Sequence, residues 1–459
     1  MIGLHEAAAA IGARAEGAEV LLTGVSTDSR TLAPGDLFVA IRGPRHDGHA
    51  FIGAAAARGA VATMVDERYR AALGPGARAP LPLLVVDDTR HALGRFAARW
   101  RERFAPQVVA VAGSNGKTTT KEMLAAILRA HAGARAVLAT AGNLNTDLGV
   151  ALTLLRLRDA HRYCAVEIGM NHPGEVAPLA RMVRPQIAVV TNAQREHMEF
   201  MKSVEACAAE NAAVYEALPA DGVAVVNADD SHADLFLRAA GGRQTVRFGL
   251  EAGAEVSGRC IPAGLDTELA LRTPAGEATV RLAIAGVHSA RNALAAAACA
   301  FAAGVPLEAI VRGLAAFRPV AGRLAAERLA CGAIVVDDSY NANPDSVRAA
   351  IDVLAALPAP TVLVLGDMGE VGEFASEFHR EVGEYARRRG ISRLAAIGPA
   401  ARAAVEAFGA GAAHFDDIEA LARAAEGAAS VLVKGSRFMR MERVVALLRG
   451  AWAPCAEAH

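Results

Sequence analysis

The stretch that most constrains this chain is VVAVAGSNGKTTTKEM at residues 108–123. Its β-branched start predicts a buried strand, which ends at Gly113 in a short polar turn leading directly into a helix-compatible segment. Gly113 and Gly116 let backbone N–H groups approach phosphate oxygens, and Lys117 can reach the terminal phosphates. The Thr118 hydroxyl can bind Mg²⁺. A Gly-x-x-Gly turn alone commonly just joins a strand to a helix, but the Lys-Thr-Thr-Thr that follows favours nucleotide binding.

Length and composition limit the classes of function. At 459 residues the chain should hold about three domains. A net charge of -1 gives no overall basic surface, so we expect no nucleic acid partner. The N-terminus lacks a signal-peptide pattern, and the most apolar long stretch, 283–304, is interrupted by polar residues, so no membrane insertion is expected. Six scattered cysteines without a C-x-x-C pair indicate a reduced, cytoplasmic protein: Cys164, Cys207, Cys260, Cys299, Cys331 and Cys455.

The first predicted domain covers residues 1–105. Short strand signals at 20–22, 37–41 and 83–86 alternate with alanine-rich helical runs, and a helix is predicted over 91–103. One polar turn of this region contains Ser26, Asp28, Ser29 and Arg30. Hydroxyls, backbone amides and an arginine in one turn can hold a diphosphate, although such residues are equally typical of a solvated turn.

The second predicted domain, 106–320, alternates strands and helices. Strands are predicted at 108–112, 136–140, 163–168, 187–191, 223–227, 245–248, 268–271 and 278–283. Helices are predicted from 117, over 149–157, around 175–182 and from 288. The near-continuous apolar strands of its first half predict a parallel, doubly wound sheet, which binds ligands at the carboxyl ends of its strands.

Polar residues follow three of these strand ends. Asn143 and Asn145 follow one, Glu167 ends the next, and His197 comes shortly after the third. A charge in the otherwise apolar strand of Glu167 needs a partner, and Mg²⁺ held against nucleotide phosphates would serve. A lone histidine is more often structural than a ligand. His197 gains weight only because its strand lies in a sheet whose neighbours carry Thr118 and Glu167.

The third predicted domain, 321–459, follows a linker at 317–323 and repeats the alternation. Its strands are predicted at 334–337, 361–365, 394–397 and 431–433. Its helices are predicted from 344, over 375–388 and 400–408, and from 439 to the end. This indicates a Rossmann-like α/β domain, although no strand-end turn carries a dinucleotide glycine fingerprint. Asn292, on the helix from 288, could pair with an adenine edge or simply lie on the helix surface.

Taken together, these segments resemble the Mur ligases of peptidoglycan synthesis over nearly the whole chain. The resemblance rests on TDSR, PGDLFVAIRG, GSNGKTTTKEM, GNLNTDLGVALTLL, EIGMNHPGE, NAQREH, HSARNALAAAA, DSYNANPDS, LGDMGEVGE and VKGSRFMRMERVV. The phosphate loop alone indicates only the superfamily. DSYNANPDS and LGDMGEVGE indicate the branch that adds D-alanyl-D-alanine, because the diaminopimelate- or lysine-adding ligase would show an Asp-Tyr-Ala-His-Thr-Pro-like segment at the first. Folate polyglutamate ligases would show Asp-Gly-Ala-His-Asn-Pro there.

The resemblance implies an amide ligase that uses ATP and Mg²⁺. Its substrates would be UDP-N-acetylmuramoyl-tripeptide and D-alanyl-D-alanine. The first domain would bind the UDP end, the second ATP, and the third would bring in the dipeptide and close the site. The tripeptide carboxylate would attack the γ-phosphate to give an acyl phosphate, and the dipeptide amine would then displace phosphate.

Carried over by position, the resemblance also assigns roles to individual residues. Catalysis would depend on Lys117, Glu167 and His197, and the metal ligands would be Thr118, Glu167 and His197. ATP would contact Gly113, Ser114, Asn115, Gly116, Lys117, Thr118, Thr119, Asn292, Arg323 and Asp338. The UDP substrate would contact Ser26, Asp28, Ser29, Arg30, Asn143 and Asn145. Dipeptide binding or closure would involve Tyr340, Asn341 and Asn343.

One position departs from the family pattern. Many Mur ligases carry a lysine on the helix after the metal-binding histidine, and its carbamylated form helps to hold a second Mg²⁺. Alignment on His197 places Asn211 at that position. We therefore expect an enzyme that needs no carbamate, with Glu210 or Asn211 filling the place structurally or through water.

Two other functions fit parts of this sequence. A ligase of the same superfamily could add a different amino acid. A nucleotide-gated switch could hydrolyse ATP without ligating anything. A monomer is expected, because no apolar surface stripe in the sequence demands a partner.

Overall fold

A computed structural model of the chain describes residues 1–44, 46–74, 76–250 and 253–451. The architecture is α/β, as the alternation of strands and helices predicted. The chain divides into two compact units. The first comprises Met1–Ala110, Arg135–Met170 and Pro178–Pro185, and the second comprises Val111–Ala134, Asn171–Ala177 and the chain from Gln186 onward. Cys455 lies outside the described residues, and the other five cysteines are free thiols.

The first unit is built on a five-stranded sheet. Its strands, in spatial order, are Arg14–Glu16, Leu83–Val86, Ala62–Asp66, Asp36–Val39 and Gly24–Ser26. All neighbours are parallel except Arg14–Glu16, which pairs antiparallel with Leu83–Val86. The helices that lie wholly within this unit are Leu4–Ile11, Ile52–Ala57, Glu67–Leu73, Thr89–Arg101 and Asp147–Leu154. The helix predicted over 91–103 is shifted to Thr89–Arg101 because the Asp88 side chain caps it by accepting from the His91 N–H.

A parallel pair of strands, Val137–Ala139 and Tyr163–Glu167, also belongs to the first unit. The first strand is shorter than the predicted 136–140 because a 3₁₀ turn occupies Ala134–Ala136. The helix predicted over 149–157 starts earlier, at Asp147, and ends at Leu154. These shifts change element ends but not their order.

In the second unit, the helix Lys117–Ala132 follows the glycine-containing turn. The strands of this part, in spatial order, are Ile187–Val190, Val223–Asn227, Gln244–Gly249, Val256–Ala263, Asp266–Thr273 and Gly276–Leu282. The first three pairings between neighbours are parallel, and the last two are antiparallel. Val256–Ala263 was not predicted, because it is half-exposed and has no apolar run. The longer helices of this part are Val204–Ala212, Ala233–Ala240, Val287–Ala302 and Leu307–Ala316.

The remainder of the second unit contains a six-stranded sheet. Its strands, in spatial order, are Ala325–Arg328, Ile334–Asp338, Ser430–Lys434, Thr361–Gly366, Arg393–Ile397 and Ala412–Phe415. The two edge strands were not predicted, since both are partly exposed. The helices are Pro344–Ala355, Ala375–Arg388, Arg402–Phe408, Ile418–Arg423 and Glu442–Ala451. The last helix begins later than the predicted Met439, because a 3₁₀ turn occupies Arg437–Met439. In the described part of the chain, no helix has the length and apolar composition needed to cross a bilayer.

Candidate active site

The phosphate loop, residues 113–118, has a backbone that requires its two glycines. Gly113 has φ of 121° and Gly116 has φ of 83°, in the region that L side chains rarely adopt. A Cβ at Gly113 would lie 2.2 Å from Thr191 Oγ1, and one at Gly116 would lie 2.2 Å from Asn292 Oδ1. The loop therefore packs against both a strand end and a second helix. Its path leads straight into the first turn of Lys117–Ala132, as the sequence predicted.

The turn at residues 191–197, after strand Ile187–Val190, fixes the loop. The Ser114 N–H donates to the Asn192 carbonyl at 2.9 Å, and the Asn115 N–H donates to Asn192 Oδ1 at 2.9 Å. The Thr191 hydroxyl donates to the Asn115 carbonyl at 2.7 Å. The Gln194 N–H donates to Ser114 Oγ at 2.9 Å. These bonds tie the loop to the turn and satisfy several of its backbone groups.

Lys117 folds back over its own loop. Its ammonium donates to the carbonyls of Gly113 and Ser114 and lies 3.1 Å from Glu196 Oε2. Both side chains are largely buried, at 14% exposed for Lys117 and 5% for Glu196. The sequence reasoning missed Glu196. The sequence did contain a clue to Glu196, because this residue directly precedes His197 in a turn that follows a parallel strand.

Asn211, the residue at the departing position, contacts the loop directly. Its Oδ1 accepts the Gly113 N–H at 2.7 Å, and its Nδ2 donates to Glu196 Oε1 at 3.0 Å. Glu210 instead accepts the N–H groups of Gly174 and Val176, each at 2.8 Å. Of the two residues expected to fill that place, only Asn211 touches the phosphate loop.

His197 has a left-handed backbone, with φ of 48°, which is uncommon for a residue other than glycine. Its Nδ1 lies 2.7 Å from Glu370 Oε2. Contact with His197 lowers the pKa of Glu370. Strained backbone of this kind is concentrated at functional sites. His197 is therefore held between the strand-end turn and the LGDMGEVGE segment.

Asn292 and Asn343 also reach the phosphate loop. Asn292 is 7% exposed on the helix Val287–Ala302 and packs on Gly116, so it is not a surface residue. The Asn343 amide donates to Asn115 Oδ1 at 2.9 Å and also caps the helix Pro344–Ala355. Thr118 and Thr119 are buried in the first turn of the loop's own helix.

A second group of predicted residues surrounds Asp338. Lys434 Nζ donates to Asp338 Oδ2 at 2.5 Å and to the Asn341 carbonyl at 2.8 Å. Burial raises the pKa of Asp338. The Arg323 guanidinium lies over the Tyr340 ring, 4.2 Å from its centroid. Lys434, which the sequence reasoning did not single out, neutralises the buried carboxylate.

In the first unit, Glu167 ends its strand and is 1% exposed. Its Oε1 accepts from the Asn145 amide at 2.8 Å, and its N–H donates to the Thr140 hydroxyl at 2.9 Å. Asn145, predicted as a UDP contact, thus orients the predicted metal ligand. Asn143 is exposed in the same turn.

The turn at residues 26–30 is stabilised from within. Arg30 donates to both carboxylate oxygens of Asp28, at 2.9 and 2.8 Å, and lowers the pKa of that carboxyl to about 2. The Asp28 N–H donates to Ser26 Oγ at 3.1 Å. Ser29 is half-buried, whereas the Arg30 side chain is 85% exposed. The guanidinium therefore lies at the surface with its orientation fixed.

Sequence models of three Mur ligase domains match this chain. They are the Mur ligase family catalytic domain at residues 21–101, the Mur ligase middle domain at 111–300, and the Mur ligase glutamate ligase domain at 322–437. The chain is 40% identical over 442 residues to UDP-N-acetylmuramoyl-tripeptide--D-alanyl-D-alanine ligase of Escherichia coli K12, covering 95% of each protein. The ligase of the same name from Bacillus subtilis is 31% identical, with 93% of each protein covered.

Solved structures of MurF enzymes also resemble this chain. MurF from Acinetobacter baumannii superimposes with a TM-score of 0.88 at 34% identity, covering 97% of this chain and 98% of that one. MurF from Thermotoga maritima, solved in complex with ADP, gives a TM-score of 0.81 at 27% identity and covers 94% of this chain and 98% of that one.

Proposed function

Because the chain belongs to the Mur ligase family, we propose that it joins D-alanyl-D-alanine to UDP-N-acetylmuramoyl-tripeptide at the expense of ATP. The products are UDP-N-acetylmuramoyl-pentapeptide, ADP and phosphate, in the synthesis of peptidoglycan precursors. The observation that carries this proposal is the similarity to a ligase of that name along 95% of both chains. The phosphate loop supplies the matching chemistry.

The phosphate loop binds ATP in this proposal. The N-terminus of Lys117–Ala132 faces the phosphates, and Lys117 places its charge at the γ-phosphate. Adenine lies toward Asn292. Arg323 and Asp338 contact the nucleotide from the last part of the chain.

The residues proposed for Mg²⁺ are Thr118, Glu167 and His197. Thr118 and Glu167 are 2% and 1% exposed and supply the oxygen donors that Mg²⁺ prefers. Asn145 fixes one oxygen of Glu167, as expected for the support of a metal ligand. When bound, the ion would neutralise charge on the nucleotide phosphates.

The reaction has two steps. The terminal carboxylate of the tripeptide attacks the γ-phosphorus of ATP, the bond to the β,γ-bridging oxygen breaks, and ADP leaves. The neutral amine of the dipeptide then attacks the acyl phosphate carbon, loses a proton and expels phosphate. Lys117 stabilises the charge that develops on the transferred phosphoryl group. Tyr340, Asn341 and Asn343 bind the dipeptide or serve closure.

The remaining assignments follow the same proposal. The UDP end contacts Ser26, Asp28, Ser29 and Arg30, with Asn143 and Asn145 nearer the peptide. The domains are 1–105 for the UDP substrate, 106–320 for ATP, and 321–459 for the dipeptide. The enzyme acts as a cytoplasmic monomer on small-molecule substrates.

Phosphate release tests the proposal. The protein is mixed with ATP, Mg²⁺ and UDP-N-acetylmuramoyl-tripeptide, and in parallel reactions with D-Ala-D-Ala, D-Ala, L-Ala, D-Glu or meso-diaminopimelate. We expect release only with D-Ala-D-Ala, together with a pentapeptide product by mass. Phosphate release with another acceptor would identify a different amide ligase. Phosphate release without any acceptor would indicate a nucleotide-gated switch that hydrolyses ATP.

A further inference from the structure

Glu196 is a buried carboxylate that the reaction above does not use. Its residue is 5% exposed, and it lies in the turn between strand Ile187–Val190 and His197. Its backbone is anchored, because its N–H donates to the Gln194 carbonyl at 2.9 Å and its own carbonyl accepts from Cys207 Sγ at 3.3 Å. A buried carboxylate is costly unless both oxygens are satisfied, and both are.

The two oxygens have different partners. Oε2 faces the Lys117 ammonium at 3.1 Å, and Oε1 accepts from Asn211 Nδ2 at 3.0 Å. The orientation of the Asn211 amide is fixed by chemistry, since its Oδ1 accepts from Gly113 N–H, which can only donate. Its Nδ2 must therefore point to groups that accept, which are Glu196 and the Cys207 carbonyl.

A closed chain of contacts thus begins and ends on the phosphate loop. It runs from Gly113 through Asn211 and Glu196 to Lys117. The three ammonium protons of Lys117 have three acceptors, and only Glu196 is charged. Because one oxygen of Glu196 is held by Asn211, the direction from which the other oxygen approaches the lysine is fixed. A long, flexible lysine side chain is otherwise free to rotate.

We propose that Glu196 is a positioning residue for Lys117: its carboxylate, oriented by Asn211, holds the ammonium at the place where charge develops on the transferred phosphoryl group. The inference rests on the proposed function. A tetrahedral ammonium keeps one proton on Glu196 while its other protons turn from the loop carbonyls to phosphate oxygens. Small misplacements of such groups can cost about 10²-fold in rate.

This role predicts a separation of turnover from nucleotide binding. Glu196→Gln keeps the size of the side chain but removes its charge. We expect kcat to fall about 10- to 100-fold, because the ammonium loses its charged anchor. The affinity for ADP should stay the same or increase, because a negative charge near the phosphate site is gone. Asn211→Ala should produce the same separation with a smaller fall in kcat.

The experiment compares kcat in the full ligase assay with the Kd of ADP from calorimetry. Glu205→Gln is the matched control, since Glu205 lies on the adjoining helix with a side chain 75% exposed. Both quantities should be unchanged in the control. Glu196→Asp should recover part of the lost kcat, because the charge is restored at a shorter reach.

A double variant tests the connection to the lysine. If Glu196 acts through Lys117, Glu196→Gln should lower kcat less than about 2-fold in a Lys117→Ala background. An equal fall in both backgrounds would overturn the inference, and so would an unchanged kcat in Glu196→Gln. A fall in kcat with weaker ADP binding and a lower Tm would reveal a structural role instead. Inactive wild-type protein that still binds ADP would count against the proposed function.

Discussion

Arg195 joins two carboxylates where the turn at residues 191–197 meets two helices. Its guanidinium lies 2.6 Å from Asp345 Oδ1 and 2.6 Å from Glu381 Oε2. The backbone N–H of Arg195 donates to Asp345 Oδ2 at 2.9 Å. It also lies over the Phe378 ring, 5.1 Å from the centroid. Since Glu196 and His197 follow directly, this clamp fixes the residues that we assign to the site.

Replacing Arg195 by Ala should destabilise the second unit by about 2–4 kcal/mol. Hydrogen bonds to charged groups contribute about 1.5–3 kcal/mol each, and the 19–28% exposure of these side chains reduces that figure through solvent screening. Removing one partner of a largely buried pair also leaves Asp345 and Glu381 facing each other. Arg348 still contacts Glu381, which limits the loss.

The assay is urea unfolding followed by far-UV circular dichroism. Arg281→Ala is the control, because Arg281 pairs with Asp266 but is 70% exposed, and we expect a loss below about 0.5 kcal/mol. Arg195→Lys should recover less than half of the lost stability, because lysine cannot form two forked pairs. A loss for Arg195→Ala no larger than that of the control would refute the reasoning.

The same clamp makes stability depend on pH. Hydrogen bonding from Arg195 holds the pKa of Glu381 below its ordinary value of 4.5. Because the folded pKa is the lower one, this stabilisation is fully present above pH 4.5 and is lost as the pH falls through the folded pKa. Wild type should therefore lose more stability than Arg195→Ala on acidification through that range. Parallel curves for the two proteins would contradict this.

Three further predictions concern single sites. Lys117→Ala should cost about 10²-fold or more in turnover with a normal melting curve, and unchanged turnover would reject its assigned role. Added bicarbonate should not raise the activity, because Asn211 cannot be carbamylated; a rise would count against that expectation. Tyr215→Phe should cost about 1–3 kcal/mol in urea unfolding. The Tyr215 hydroxyl donates to the Val225 carbonyl at 2.7 Å and accepts the Val190 N–H at 3.1 Å, so a loss near zero would refute that account.

Sequence alone was sufficient for features that depend on neighbours along the chain. Gly113, Gly116 and Lys117 lie within five positions, and the strand, glycine turn and helix start that they predicted are present in the structure. The strand Leu83–Val86 and the helix Ala375–Arg388 have the predicted ends, because apolar runs and helical periodicity are local patterns. Two of the strands that it missed, Ala325–Arg328 and Ala412–Phe415, are partly exposed and have no such run, whereas the missed strand Ala62–Asp66 is buried throughout.

Only the tertiary structure decided which distant side chains meet. Glu196 and Lys117 are 79 positions apart, and Arg195 and Asp345 are 150 apart. Asn145, predicted to bind substrate, donates to Glu167, and Asn292 packs on Gly116 rather than lying on a helix surface. Local propensity determines whether a segment forms a helix or a strand, but not which other element packs against it. Ion pairs and amide contacts depend on packing between elements, which no short stretch of sequence encodes.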